Sequence, residues 1–152
     1  RIRIMLLQIE RDLGGLGLLS PCSTYHRFAV GMTGDKMSSS KPESTIFMDD
    51  EIESMERKVK RAISGGQPTV EEHRRLGGDV SKDVAFQYLQ FFFENDDTAL
   101  AEVKSEYESG RMLAGEVKQI CIDRATDWLI DLKQRRDQME DSVADFLAPD
   151  AI

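Results

Sequence analysis

The stretch with the greatest capacity for chemistry is Lys36-Met37-Ser38-Ser39-Ser40-Lys41-Pro42. It holds two ammonium groups and three hydroxyls, with Gly31 and Gly34 just upstream. Lysine supplies a compact positive charge, serine hydroxyls donate hydrogen bonds, and glycine lets the backbone approach a ligand closely. That set suits a loop that closes on a phosphate group. The spacing is not that of a P-loop, because the GxxxxGK[ST] pattern is absent. On composition alone the signal is weak, since an exposed Ser/Lys-rich segment is more often only a loop.

The remaining reactive side chains point to structure. Cys22 and Cys121 stand 99 positions apart with no CxxC pattern, and read as reduced cysteines of the cytosol rather than a zinc site or a disulfide framework. His26 and His73 have no metal-ligand company; His26, just ahead of the lysine-serine loop, is a secondary candidate for a nucleotide site. Trp128 lies on an apolar stripe and is expected in the core. The run Phe91-Phe92-Phe93 reads as packing rather than a base-stacking platform, and Lys133, Arg135 and Arg136 as a solvated helix face.

The elements that must position the loop are mostly helical. Ile2, Met5, Leu6, Ile9 and Leu13 recur at helical spacing up to Gly14-Gly15, a helix stop. Ser23 to Val30 is rich in β-branched and aromatic residues and predicts a short strand. After the loop and the apolar triplet Ile46-Phe47-Met48, the pattern is helical throughout. Ile52, Met55, Val59 and Ala62/Ile63 form one stripe with Asp50 as the expected N-cap, and Ser64 to Pro68 break it. Thr69-Val70-Glu71-Glu72 is a capping box opening a short helix closed by Gly77-Gly78. Ser81 is the expected cap of a helix that is apolar on nearly all sides from Val84 to Phe93, which places it centrally. Leu100, Val103 and Tyr107 mark another helix, stopped at Gly110. The last is long, running from Val117 toward Pro149.

Composition bounds the rest. The 152 residues carry 28 acidic and 20 basic side chains, a formal charge of −8, which excludes a broad basic footprint for nucleic acid. Local contacts remain open, because residues 1–48 hold six basic and four acidic groups and are net positive. At 40% hydrophobic the chain can build a core, so global disorder is excluded. No apolar run reaches membrane-spanning length, and no membrane partner is expected. The chain opens at Arg1 rather than methionine, which suggests a piece of something longer.

The segment Gly34 to Ser44 (GDKMSSSKPES) resembles the KMSKS signature of class I aminoacyl-tRNA synthetases. The resemblance continues through Thr45 to Asp50, Ser64-Gly65-Gly66, Thr69 to Arg74, Gly77-Gly78, Asp83 to Phe92 and Gly110 to Lys118. In that order these blocks are similar to tryptophanyl-tRNA synthetases of the archaeal and eukaryotic type; the tyrosyl enzymes, which share the loop, are the nearest alternative.

The resemblance implies a mainly α chain in two parts. Residues 1–48 would be the tail of a Rossmann-like α/β catalytic domain carrying the loop, and residues 49–152 a helical anticodon-binding domain. It further implies ATP, with Mg as its substrate complex, activation of tryptophan to tryptophanyl-AMP, and transfer to tRNA(Trp) in a cytoplasmic homodimer. Lys36, Ser38 and Ser40 would be the catalytic phosphate contacts, with Met37, Ser39 and Lys41 completing the nucleotide-binding set. Ser39 stands where the signature often has lysine, and Lys41 is the candidate to compensate. Lys118 and Gln67 would contact tRNA; Gln67-Pro68 replaces a charged pair found in some relatives. The first ATP motif and the tryptophan pocket are not in this chain, so it alone is expected to be inactive. A noncatalytic helical module that binds RNA or protein and keeps an inactive loop is the reading from another class.

Overall fold

The computed structural model describes residues 2–14, 22, 24 and 28–139, and its order is helical from end to end. Helix α1 (Ile2–Leu13) ends where Gly14 takes a positive φ and donates back to the Glu10 carbonyl. Most of the expected strand from Ser23 to Val30, with His26, lies outside the described residues. Its described end forms no strand, only one antiparallel bridge between Val30 and Lys36. A single 3-10 turn (Pro42–Ser44) closes the loop that follows.

The body is built from α2 (Ile52–Arg61), α3 (Val70–Leu76), α4 (Val84–Tyr88), α5 (Asp97–Glu108) and α6 (Ala114–Met139). Helix α6 is the spine: α2, α4 and α5 pack against it. Its inward positions Val117, Cys121, Ala125 and Leu129 are fully buried at four-residue spacing, which puts them on one face. Opposite them sit Met55 and Val59 of α2 and the whole of α4, buried at every residue as its apolar sequence predicts. Residues 140–152, and with them the end of the long apolar pattern, lie outside the described residues.

Two expected caps are corrected. Asp50 does not cap α2; Glu51 holds that position without a side-chain bond. The Asp50 carboxylate instead accepts from the Phe47 amide at 2.9 Å and from Lys58 Nζ at 2.6 and 2.8 Å. Lys58 is buried under the Phe47 ring, 4.8 Å from its centroid, so a paired charge ties the chain after the loop to α2. Nor does Ser81 cap α4. Asp83 does, accepting from the Phe86 amide at 3.0 Å, while Ser81 turns back to Asp79. In both places the expected residue is drawn to other partners, Asp50 to Phe47 and Lys58 and Ser81 to Asp79.

Where α4 should continue, the backbone widens into a π-helical turn, Leu89–Phe93, closed by the Glu94 amide on the Leu89 carbonyl. The extra residue rotates the aromatic run out of the core. Leu89 stays buried, but Phe92 is 49% exposed, and Phe93 meets Trp128 edge-on at 5.9 Å. Trp128 is 37% exposed, so it rims the core rather than filling it. Gly77 closes α3 at φ +73°, where a Cβ would strike the Glu108 carbonyl; only glycine lets α3 and α5 meet there.

Candidate functional site

The lysine-serine loop is tied at its base by its own backbone and by one serine. The Gly31 amide donates to Asp35 O at 2.7 Å, and Gly34 turns the chain at φ +82°. Ser44, 1% exposed, is the fixed point: its hydroxyl accepts from the Ser38 amide at 3.1 Å and donates to the Lys41 carbonyl at 2.7 Å. The Ser44 carbonyl in turn accepts from the Met32 amide at 2.9 Å, and the Met32 carbonyl accepts from Ile63 at 3.1 Å, joining the base to the end of α2. Sequence reasoning passed over Ser44 as an anchor. Its position two residues after a proline, where a serine hydroxyl commonly bonds nearby backbone, is the signal that could have found it.

Above that base the predicted residues come together on one short arc. Lys36, Ser39, Ser40 and Lys41 are exposed, and Ser38 Oγ lies 2.9 Å from Ser40 Oγ. Among the described residues neither the Lys36 nor the Lys41 ammonium has an ion pair or hydrogen bond. Met37 is half-buried, as is Ser38, and Tyr88 of α4 donates its hydroxyl to the Met37 sulfur at 3.2 Å. Chemically, the arc offers two free cations and a pair of hydroxyls to an anionic group.

The two residues expected at RNA sit in a different place and are already engaged. Lys118, on the first turns of α6, donates to the Ala62 carbonyl at 2.6 Å and the Lys60 carbonyl at 3.0 Å, the open end of α2. Burial lowers its pKa, opposed by the charge of Asp83. Gln67 donates Nε2 to the Gly77 carbonyl at 3.1 Å, and its backbone amide donates to His73 Nδ1 at 3.4 Å. His73 Nε2 lies 2.9 Å from the Met112 carbonyl, which can only accept, so the proton is on Nε2. Gln67 and His73 line one side of an open cleft of about 260 Å³ whose other side is Leu113, Ala114 and Gly115 at the start of α6.

Beneath that cleft is a fully buried carboxylate. Asp83 accepts from the Phe86 amide on one oxygen; the other takes the Gly65 amide at 3.1 Å and the Tyr107 hydroxyl at 2.9 Å. Burial, then the Asp83 charge, pushes the Tyr107 pKa upward, so the phenol stays a donor. The basic cluster near the end of α6 is paired: Lys133 with Glu51, Arg135 with Asp131 and Arg136 with Asp137. No helix among the described residues is long and apolar enough to cross a membrane.

Comparison with known proteins agrees along most of the chain. A family model described as tRNA synthetases class I (W and Y) matches residues 5–129. A tryptophan–tRNA ligase of Saccharolobus solfataricus is 43% identical over 143 residues, 91% of this chain and 38% of that protein. The cytoplasmic tryptophan–tRNA ligase of Rattus norvegicus is 41% identical over 147 residues, 93% of this chain and 30% of that protein. The crystal structure of tryptophanyl-tRNA synthetase from Aeropyrum pernix superposes with a TM-score of 0.88 at 32% identity, covering 99% of this chain and 41% of that one. The chain thus spans well under half the length of these relatives. With its family model matched over 125 residues from 5 to 129, the loop and the helical body together, the chain belongs to the class I tRNA synthetases of the W and Y type.

Proposed function

We propose that this chain is the part of a tryptophan–tRNA ligase that brings the signature loop to the nucleotide and carries the helical anticodon-binding domain. The observation that supports it most is the loop: Lys36 and Lys41 exposed and, among the described residues, unpaired, Ser38 and Ser40 side by side, on a base fixed by a buried serine. The relatives named above are tryptophan–tRNA ligases.

In the proposed reaction the tryptophan carboxylate attacks the α-phosphorus of Mg-ATP, giving tryptophanyl-AMP and pyrophosphate; the aminoacyl group then passes to tRNA(Trp). Negative charge gathers on the departing pyrophosphate. Lys36, with Ser38 and Ser40, would meet that charge with donors held ready, lowering the barrier more than it lowers the energy of bound ATP. Lys41 would supply the second positive charge that Ser39 cannot. Residues up to 48 would close the catalytic domain and residues 49–152 form the anticodon-binding domain. There Gln67 keeps its side-chain carbonyl, and Lys118 one N–H, for an RNA base or phosphate. The working enzyme is taken to be a cytoplasmic homodimer.

The test is a chimaera of the Saccharolobus solfataricus ligase in which this chain replaces its 43%-identical counterpart. It should support tryptophan-dependent pyrophosphate exchange and charging of tRNA(Trp), while the 152-residue chain alone stays at background. A folded chimaera inactive in both assays would favour the noncatalytic module.

A further inference from the structure

The loop's internal bonds hold its base, but one contact reaches its tip from the helical body. Tyr88 is buried within α4, and its ring rests edge-on against Phe92 at 5.4 Å and beside Phe93 at 6.4 Å. Those rings fix the direction of the hydroxyl. A buried phenol must find an acceptor, and the one this hydroxyl has among the described residues is the Met37 thioether, 3.2 Å away and 51 positions back in sequence.

We propose that Tyr88 is a positioning residue for the signature loop: by holding the Met37 side chain inward, it keeps Lys36 and Ser38, the neighbours on either side, placed for the nucleotide phosphates. Lys36 is extended where it bridges Val30, and neighbouring side chains of an extended segment point to opposite sides. Pinning Met37 in therefore turns Lys36 out. Thioether sulfur is a weak acceptor, so the tether orders the loop without locking it against the shift that ligand closure requires. The contact also explains why a helix buried on every side carries a tyrosine rather than a second phenylalanine beside Phe86: the ring fills the core and the hydroxyl reaches past it. Burial keeps the phenol a donor, with its pKa pushed up to about 12.

The holding contact stands on geometry, whereas its kinetic consequence rests on the adenylate-forming reading above. Two arms keep them apart. In the 152-residue chain, hydrogen exchange is followed at the Ser38 and Lys41 amides, both bonded within the loop. Tyr88→Phe and Met37→Leu should each speed these amides about tenfold while the buried face of α6 is unchanged. Unchanged loop exchange overturns the proposal, and so does a rise of equal size throughout α4 and α6, which would mean loss of packing only.

In the chimaera, Tyr88→Phe should lower kcat/KM for ATP in pyrophosphate exchange by about three- to tenfold with the KM for tryptophan unaltered. The double variant with Met37→Leu should be no worse than the poorer single one. Additive losses, or a gain in ATP affinity, would overturn it. Lys36→Ala is the discriminating control: if that variant also leaves the rate intact, the adenylate reading fails, and loop exchange alone decides the role of Tyr88.

Discussion

The loop from Lys36 to Lys41 and the turn from Gly65 to Gly78 both carry polar side chains that a sequence reader would assign to ligands, but they treat them in opposite ways. In the loop, the backbone is satisfied by Ser44 and the ammonium groups have no partner among the described residues. In the turn, side chains satisfy the backbone: Gln67 bonds the Gly77 carbonyl and His73 bonds Gln67 and Met112; Lys118 of α6 does the same for the end of α2. A lysine facing water keeps its charge available to a ligand. A lysine that closes a helix end must break those bonds, or use its remaining N–H, before it can bind anything. The loop is therefore arranged for chemistry, and the turn first of all for shape.

The sharpest way to break that contrast is to remove the carboxylate on which the turn is built. Asp83→Ala would leave the Gly65 amide, the Phe86 amide and the Tyr107 hydroxyl without their acceptor in a site with no exposure. The expected loss is ~3–5 kcal/mol of stability, read as a lower urea midpoint at unchanged slope. Asp83→Asn should recover only part of it, because an amide NH₂ would face one of the three donors. A loss below about 1 kcal/mol for the alanine variant would mean that water takes over the acceptor role and that the turn is not built on this group.

The loop should behave in the reverse sense. Lys36→Ala in the chimaera is expected to slow adenylate formation by about 10²–10³, with a much smaller change in the apparent affinity for ATP. Its melting temperature should hold, since an exposed lysine abandons no buried partner. Stopped-flow adenylate formation over a range of ATP concentrations, beside a melting curve, separates the cases. A normal rate would remove the loop from catalysis; a collapsed melting curve would make Lys36 a structural residue.

Much of this was legible in the sequence, for definable reasons. Apolar residues at three- and four-residue spacing marked α2, α5 and α6, and glycines marked where α3 and α5 stop, because those signals are local. The loop was legible because its residues are consecutive. What was not legible depends on distant groups. The choice of Asp83 over Ser81 as a cap follows from Gly65 and Tyr107, which share the same carboxylate. Asp50 is drawn off α2 by a lysine eight residues on. The π turn at Leu89–Phe93 leaves no trace in a periodicity that is apolar on every side, so the exposure of Phe92 could not be foreseen. The same holds for Lys118 and Gln67: their types suggested RNA, and only the fold reveals the carbonyls they already serve.

Lys118 has a structural role at the end of α2 and a proposed role at RNA, and its variants separate the two. Lys118→Ala frees two carbonyls at the end of α2 and should cost ~1–2 kcal/mol of stability. If the residue also serves RNA, charging of tRNA(Trp) by the chimaera should fall while tryptophan activation is kept. Lys118→Arg, which retains charge and donors, should restore part of the stability. Equal losses in charging and activation would leave only the structural role.

The smallest expected effect tests whether the two regions are independent. Thr69 caps α3: its hydroxyl oxygen accepts from the Glu72 amide at 3.2 Å and its proton goes to the Glu72 carboxylate at 3.1 Å. Helix α3 has only seven residues, too few to hold itself, so it depends on that cap and on the buried His73. Thr69→Ala should cost about 1 kcal/mol, equivalent to ~5 °C in melting temperature for a body of this size, and Thr69→Ser should cost much less. Exchange should quicken at amides of α3 and at Gln67, whose acceptor His73 rides on that helix. The Ser38 and Lys41 amides should not respond, because among the described residues no hydrogen bond from α3 reaches the base of the loop or Tyr88. If they quicken together with α3, the turn and the loop share one cooperative unit, and the division between a region built for shape and a region left free for chemistry fails.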